Sequence, residues 1–195
     1  MSIYEPAEDS YLLEKYVKKY AKGICLDIGT GTGIQALAAS KKADFVIAVD
    51  INQEALTYCN GHIHSDKILL IHSDLFSVFE KKEVIIVDGI FKGIQPRKKG
   101  NKFDTIIFNA PYLPEEKEPE LALDGGKEGH EIIDKFLKEA KAYLSSAGCI
   151  LLIFSSATGK EKVGSLMDEY GYKAEMLESI HIFFEDISCY RLANG

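Results

Sequence analysis

Strand-like and helix-like apolar patterns alternate along most of this chain, and that alternation limits the fold more than any other feature. Short apolar runs at residues 24–28, 45–49, 68–71, 104–108 and 149–154 read as buried strands. Helical patterns lie before and between them. Residues 6–22 place Leu12, Leu13, Tyr16, Val17 and Tyr20 on one face. Pro6 suits the first helical position, Glu8 and Asp9 the first turn, Lys18, Lys19 and Lys22 the last, and Gly23 the stop. Further helices are expected through Ala36, Leu37 and Ala38, and around Ala55, Leu56 and Tyr58 with Asn52 as cap. Another covers residues 128–144, and the last follows Thr158, where Glu161 three residues on completes a capping-box signal. Residues 174–184 and 187–192 read as a closing antiparallel hairpin. The pattern predicts one α/β domain over residues 1–195, with a mostly parallel sheet and helices on both faces. Residues 1–23 form its N-terminal helix segment. Residues 83–102 interrupt the pattern with the apolar run Val84 to Val87 and a basic loop, and read as an insertion.

The first strand runs into Leu26-Asp27-Ile28-Gly29-Thr30-Gly31-Thr32-Gly33 and then into a helix. Glycines there let the backbone turn tightly and approach a ligand closely. Ile34 breaks the G-x-G-x-x-G spacing that holds a dinucleotide pyrophosphate. Acids recur at successive strand ends: Asp27, Asp50 and Asp74. Carboxylates there disfavour an anionic pyrophosphate and favour a cationic ligand bearing ribose hydroxyls and an exocyclic amine. S-adenosylmethionine has those groups. Asp50 is placed for the ribose, as the acid at this position is in other nucleotide sites, Asp74 for the adenine amine, and Asp27 for the ammonium end. Each aspartate taken alone also fits a turn or a helix cap.

The strand at 104–108 stops at Asn109-Ala110-Pro111-Tyr112. Ligands of open α/β sheets sit at the carboxyl ends of strands. An Asn there offers an acceptor and a donor to a planar amide or amine, and Tyr112 offers a flat face. This stretch is the expected place for a substrate nitrogen, although Asn-x-Pro-Tyr alone also suits an ordinary strand-to-loop turn.

A net charge of −7 argues against a general nucleic-acid binder. A local basic stretch, Lys92, Arg97, Lys98, Lys99 and Lys102, faces an acidic one at 115–131 in the sequence, and both read as solvated loops. No apolar run reaches the roughly 18 residues of a membrane span and no export leader is visible. Cys25, Cys59, Cys149 and Cys189 are scattered without C-x-x-C spacing, which points to core packing in a reducing cytoplasm and to no metal site.

Taken together, these segments resemble the class I methyltransferases, and Asn109-Ala110-Pro111-Tyr112 resembles the N-P-P-Y motif of those that methylate planar nitrogens. Two more segments, Tyr4-Glu5-Pro6-Ala7-Glu8-Asp9-Ser10-Tyr11-Leu12-Leu13 and Ala122-Leu123-Asp124-Gly125-Gly126-Lys127-Glu128-Gly129, resemble the HemK-like family in its short archaeal and eukaryotic branch. The resemblance implies a Rossmann-like, seven-stranded, mostly parallel sheet closed by the C-terminal hairpin. It implies S-adenosylmethionine as cofactor and methylation of the glutamine amide in the Gly-Gly-Gln motif of a class I release factor. A small zinc-ribbon activator protein is an implied partner, favoured if apolar surface is exposed along the Phe45 or Ile85 strand. Motif matching places Ser10, Asp27, Gly29, Gly31, Gly33, Asp50, Asp74, Leu75 and Asn109 at the cofactor. It places Asn109, Ala110, Pro111, Tyr112 and Leu113 at the substrate, the first four as the catalytic stretch. Ala110 departs from the family's Pro. Its backbone carbonyl is retained, and Pro111 still holds it extended. Other readings of the same motif are a nucleic-acid adenine or guanine N-methyltransferase, a protein lysine methyltransferase, and a non-catalytic partner subunit.

Overall fold

A computed structural model describes residues 3–80, 102–111 and 129–195. The segment 83–101, with its expected insertion, lies outside the described residues, as do Tyr112, Leu113, Ile85 and the Gly125-Gly126 stretch. Seven strands form one sheet: β1 (Ile24–Ile28), β2 (Phe45–Asp50), β3 (Ile68–His72), β4 (Phe103–Asn109), β5 (Leu144–Ser155), β6 (Tyr172–Ile182) and β7 (Glu185–Asn194). Their order is β3-β2-β1-β4-β5-β7-β6. Strands β1 to β5 pair in parallel, and β7 is antiparallel to β5 and β6. This is the expected parallel sheet closed by a hairpin. The helices are α1 (Glu8–Tyr20), α2 (Ile34–Ser40), α3 (Gln53–His62), α4 (Glu131–Ala140) and α5 (Lys160–Glu169).

Period-two alternation in the strands sorts the core into two layers. Leu26, Ile28, Ile106, Phe108, Ile150 and Leu152 pack on one face with Phe136 and Leu137 of α4 and Val163 of α5. Cys25, Val46, Ile107, Leu151 and Ile153 pack on the other with Leu13 and Val17 of α1 and Ala36 and Ala39 of α2. All four cysteines are buried thiols, and burial raises Cys25 to about 11 and Cys59 and Cys189 to about 12. Asn52 caps α3 by accepting from the Glu54 N–H at 3.0 Å.

Helix α1 starts at Glu8 with Ala7 as cap and ends at Tyr20, so Pro6 and Lys22 lie outside it, and two more local expectations fail for identifiable reasons. Strand β5 begins at Leu144, well before Cys149, because Leu144 pairs with Phe103 across a bulge. Thr158 does not cap α5. Its hydroxyl donates to the Ser155 carbonyl at 2.7 Å inside a 3-10 turn, and Gly159 takes the cap position.

Candidate active site

The chain runs outward from β1 through β2 to β3 and then returns to place β4 on the other side of β1. The crevice at such a reversal, beyond the carboxyl ends of the strands, is where open α/β sheets bind ligands. A cavity of about 360 Å³ lies there. The β1 turn contributes Ile28, Gly29 and Gly31, and β2 contributes Asp50 with Ile51 and Asn52 after it. The turn after β3 contributes Ser73, Asp74 and Leu75, and β4 contributes Phe108, Asn109 and Pro111. Ile3, Tyr4, Ala55, Ile132 and Lys135 complete the wall.

The glycine turn divides in function. Gly31 has φ +53°, and a Cβ built there meets nothing within 4 Å. It faces open space, as a cradle for a ligand must. Gly33, at φ +82°, caps α2, and a Cβ there would fall 2.2 Å from Ile63 Cδ1 and 3.1 Å from Cys59 Sγ. Its constraint is close packing against α3, and it does not line the cavity.

The three aspartates sit in three environments. Asp50 accepts the Gly31 N–H at 2.8 Å through one oxygen and the Asn52 N–H at 2.8 Å through the other. Burial raises its pKa, and these backbone donors oppose the rise. Asp27 is sealed beneath the turn and accepts the Thr30 hydroxyl at 2.7 Å. Burial pushes it up to about 7, against the pull of Thr30 and with the Asp50 charge adding to the rise. It too lies outside the cavity wall. Asp74 is half-exposed and pairs with Lys135 at 2.7 Å. Beside it, Leu75 holds φ +45°, a region that side chains avoid.

Asn109 ends β4. Its Nδ2 donates to Asp9 Oδ2 at 2.9 Å, while its buried Oδ1 has no hydrogen-bond partner among the described residues. The Ala110 N–H donates to the Ile153 carbonyl at 3.1 Å, which fixes the peptide that follows. The other Asp9 oxygen accepts the Ser10 N–H at 2.5 Å, the Ser10 hydroxyl at 3.1 Å and the Tyr4 hydroxyl at 3.1 Å. Gln35 Nε2 in turn donates to the Ser10 carbonyl at 2.8 Å. Ser10 is therefore placed one shell behind the cavity, held to Asp9.

Asp9 is the residue that the sequence reading assigned only to the first turn of a helix. A signal for more was present. Asp9 precedes Leu12, Leu13 and Tyr16 by three, four and seven residues, so it shares their buried face. A buried carboxylate needs partners, and those partners are Asn109, Tyr4 and Ser10.

The family model described as "Methyltransferase small domain" matches residues 7–181. A protein of Methanocaldococcus jannaschii, provisionally named for protein N5-glutamine methylation, is 33% identical over 194 residues, covering 95% of this chain and 88% of that one. Methyltransferase HEMK2 of Mus musculus is 31% identical over 183 residues, covering 87% and 79%. Among solved structures, the E. cuniculi Mtq2-Trm112 complex, described as responsible for methylation of the eRF1 translation termination factor, matches with a TM-score of 0.73. It is 25% identical and covers 100% of both chains.

Proposed function

This chain belongs to the methyltransferase small-domain family, and we propose that it methylates a protein side-chain amide with S-adenosylmethionine. The proposed target is the glutamine of the Gly-Gly-Gln motif in a class I release factor. The observation that carries the chemistry is the buried Asn109 Oδ1, without a partner among the described residues, beside an Nδ2 already held by Asp9. A buried acceptor without a donor is costly in isolation, and it is the group a substrate N–H satisfies. The substrate class rests on the M. jannaschii relative and on the Mtq2-Trm112 structure. The latter also supports a small activator subunit as partner. The reduced, buried cysteines fit a cytoplasmic setting.

The cavity fits the cofactor. Gly31 leaves open space where a bulky ligand must approach backbone, and Asp50 retains lone pairs for ribose hydroxyls. Asp74 and Leu75 are assigned to the adenine, and Gly29 to close approach. When bound, S-adenosylmethionine supplies an electrophilic methyl group. The chain's own residues prepare the nitrogen. Asn109 Oδ1 accepts one amide hydrogen and the Ala110 carbonyl the other. An amide lone pair is delocalised, and these two acceptors favour its localisation on nitrogen. As positive charge develops there, both bonds strengthen, so the stabilisation is greater in the transition state than in the ground state. Asp9 keeps the Asn109 amide turned with its oxygen toward the substrate. Pro111, Tyr112 and Leu113 are assigned to the side of the target amide. Its surplus proton leaves to water after transfer, and no general base is needed.

The test is mass spectrometry of a class I release factor after incubation with the protein, S-adenosylmethionine and a candidate activator. One methyl on the Gly-Gly-Gln glutamine is expected. Asn109→Ala keeps cofactor binding and loses about 2.7–4 kcal/mol of transition-state stabilisation, or roughly 10²–10³ in turnover. An Asn109→Ala protein of near-normal turnover refutes the mechanism.

A further inference from the structure

Phe183 and Phe184 form the turn between β6 and β7, and they are 87% and 100% exposed. Register locates this turn relative to the site. Asn109 pairs with Ile153, and Ile153 pairs with Cys189 of β7. Phe184 lies five residues beyond Cys189 toward the carboxyl end of the sheet, past the Ile182–Glu185 pair. At about 3.4 Å per residue the tip stands roughly 17 Å above the level of Asn109. Two strand spacings put it about 10 Å to the side. The hairpin is thus a wall beside the site.

The wall is braced and its tip is costly. The Ser155 hydroxyl donates to Glu185, and the Asp186 N–H donates to Ser156 Oγ at 2.9 Å, which ties the turn to the end of β5. His181 pairs with Asp186 at 2.8 Å across the hairpin. Phe183 holds φ +53°. Tight hairpin turns favour Gly, Asn or Asp where φ is positive. Here the position holds an aromatic in water, followed by another.

We propose that Phe183 and Phe184 are a docking element for the folded protein that carries the target amide. The inference rests on the proposed function. A side chain can reach Asn109 only if the protein bearing it covers the rim of the cavity. A standard contact of about 800 Å² per partner extends well past a point about 10 Å to one side. Exposed aromatics at such a place act as anchors. The occupant presents an apolar depression beside its methylated loop.

The test compares wild type with the double variant Phe183→Gly, Phe184→Ser. The readouts are KM and kcat on a class I release factor, S-adenosylhomocysteine affinity, and Tm. The KM for the release factor rises about tenfold or more, while kcat and S-adenosylhomocysteine affinity hold. Tm holds or rises, because glycine relieves the positive φ. An unchanged KM overturns the docking role and leaves the proposed function standing. A fall in Tm or in S-adenosylhomocysteine affinity assigns the pair to structure and also overturns it. A wild-type dimer that becomes monomeric in the variant assigns the tip to self-association. A wild type that does not methylate the release factor refutes the proposed function first, and the docking inference with it.

Discussion

Asp9 Oδ2 and Asn109 Nδ2 meet at 2.9 Å across one hundred residues of sequence. An Asn amide can rotate to exchange its oxygen and nitrogen. With a carboxylate fixed on one side, only the nitrogen can face Asp9, so Oδ1 is turned away from it. Asp9 itself is 2% exposed and is held by Tyr4 and Ser10. The first helix therefore sets the orientation of a group at the end of the fourth strand.

Replacing Asp9 should separate positioning from binding. Asp9→Ala frees the Asn109 amide and strands several buried donors, costing about 1–3 kcal/mol of stability. Turnover falls about 10–100-fold, the range typical of a lost orienting partner. S-adenosylhomocysteine affinity stays within a few-fold. Asp9→Asn keeps one oxygen for Asn109 Nδ2 and recovers part of the rate. Equal rates for Asp9→Ala and wild type on the methylated substrate would remove the positioning role.

Gly31 and Gly33 should respond differently to the same substitution. Both have positive φ, so Ala costs about 1–2 kcal/mol of strain at either. At Gly31 the new methyl enters open space at the cavity wall. Gly31→Ala therefore folds with a modest loss and binds S-adenosylhomocysteine weakly. At Gly33 the methyl meets Ile63 and Cys59. Overpacking adds about 1–3 kcal/mol, so Gly33→Ala lowers Tm further while the folded fraction keeps its ligand affinity. Melting curves with and without S-adenosylhomocysteine read both effects, and a reversed order would contradict the division of roles.

Lys135 and Asp74 form an ion pair at 2.7 Å with both side chains close to half-exposed. Such a pair contributes about 0–1 kcal/mol. Lys135→Ala should change Tm little. It also releases the Asp74 carboxylate, so S-adenosylhomocysteine affinity holds or improves. A tenfold loss in affinity would make Lys135 a ligand contact instead of a competitor for Asp74.

What the sequence made legible, and what it hid, follows from the range of the interactions. Runs such as 45–49 and 149–154 are apolar on both faces, which only a central parallel strand requires. They located β2 and the second half of β5. The first half, Leu144 to Gly148, carries two serines and two small residues, and only its pairing beside Phe103 makes it strand. Thr158 carried a valid local cap signal, but its hydroxyl donates to the Ser155 carbonyl and Gly159 stands at the cap position with no side-chain bond to the helix. Asp50, Asp74, Leu75 and Asn109 reach the cavity because strand ends are positions that a sequence reveals. Ser10, Asp27 and Gly33 stand behind it, and that distinction depends on packing between α1, α2 and α3. The Asp9–Asn109 bond joins segments too distant for any local rule.

Asp27 gives the protein a pH signature of definite sign. Its pKa is raised from 3.8 to about 7 in the folded chain, with burial as the main cause. Between those values the folded state holds a proton that the unfolded state has lost. Stability is therefore full below about pH 4 with respect to this group, declines as pH rises, and levels off above about pH 7. Asp50 is shifted in the same direction by its own burial and adds to the slope. Asp27→Asn removes the ionising group and keeps an acceptor for the Thr30 hydroxyl. Urea unfolding at pH 5, 6, 7 and 8 should show wild type losing roughly 2–3 kcal/mol more than Asp27→Asn between pH 5 and pH 7. Parallel curves for the two proteins would mean that Asp27 ionises normally in the fold. Curves that diverge with the opposite sign would mean that its charged form is the one held beneath the glycine turn.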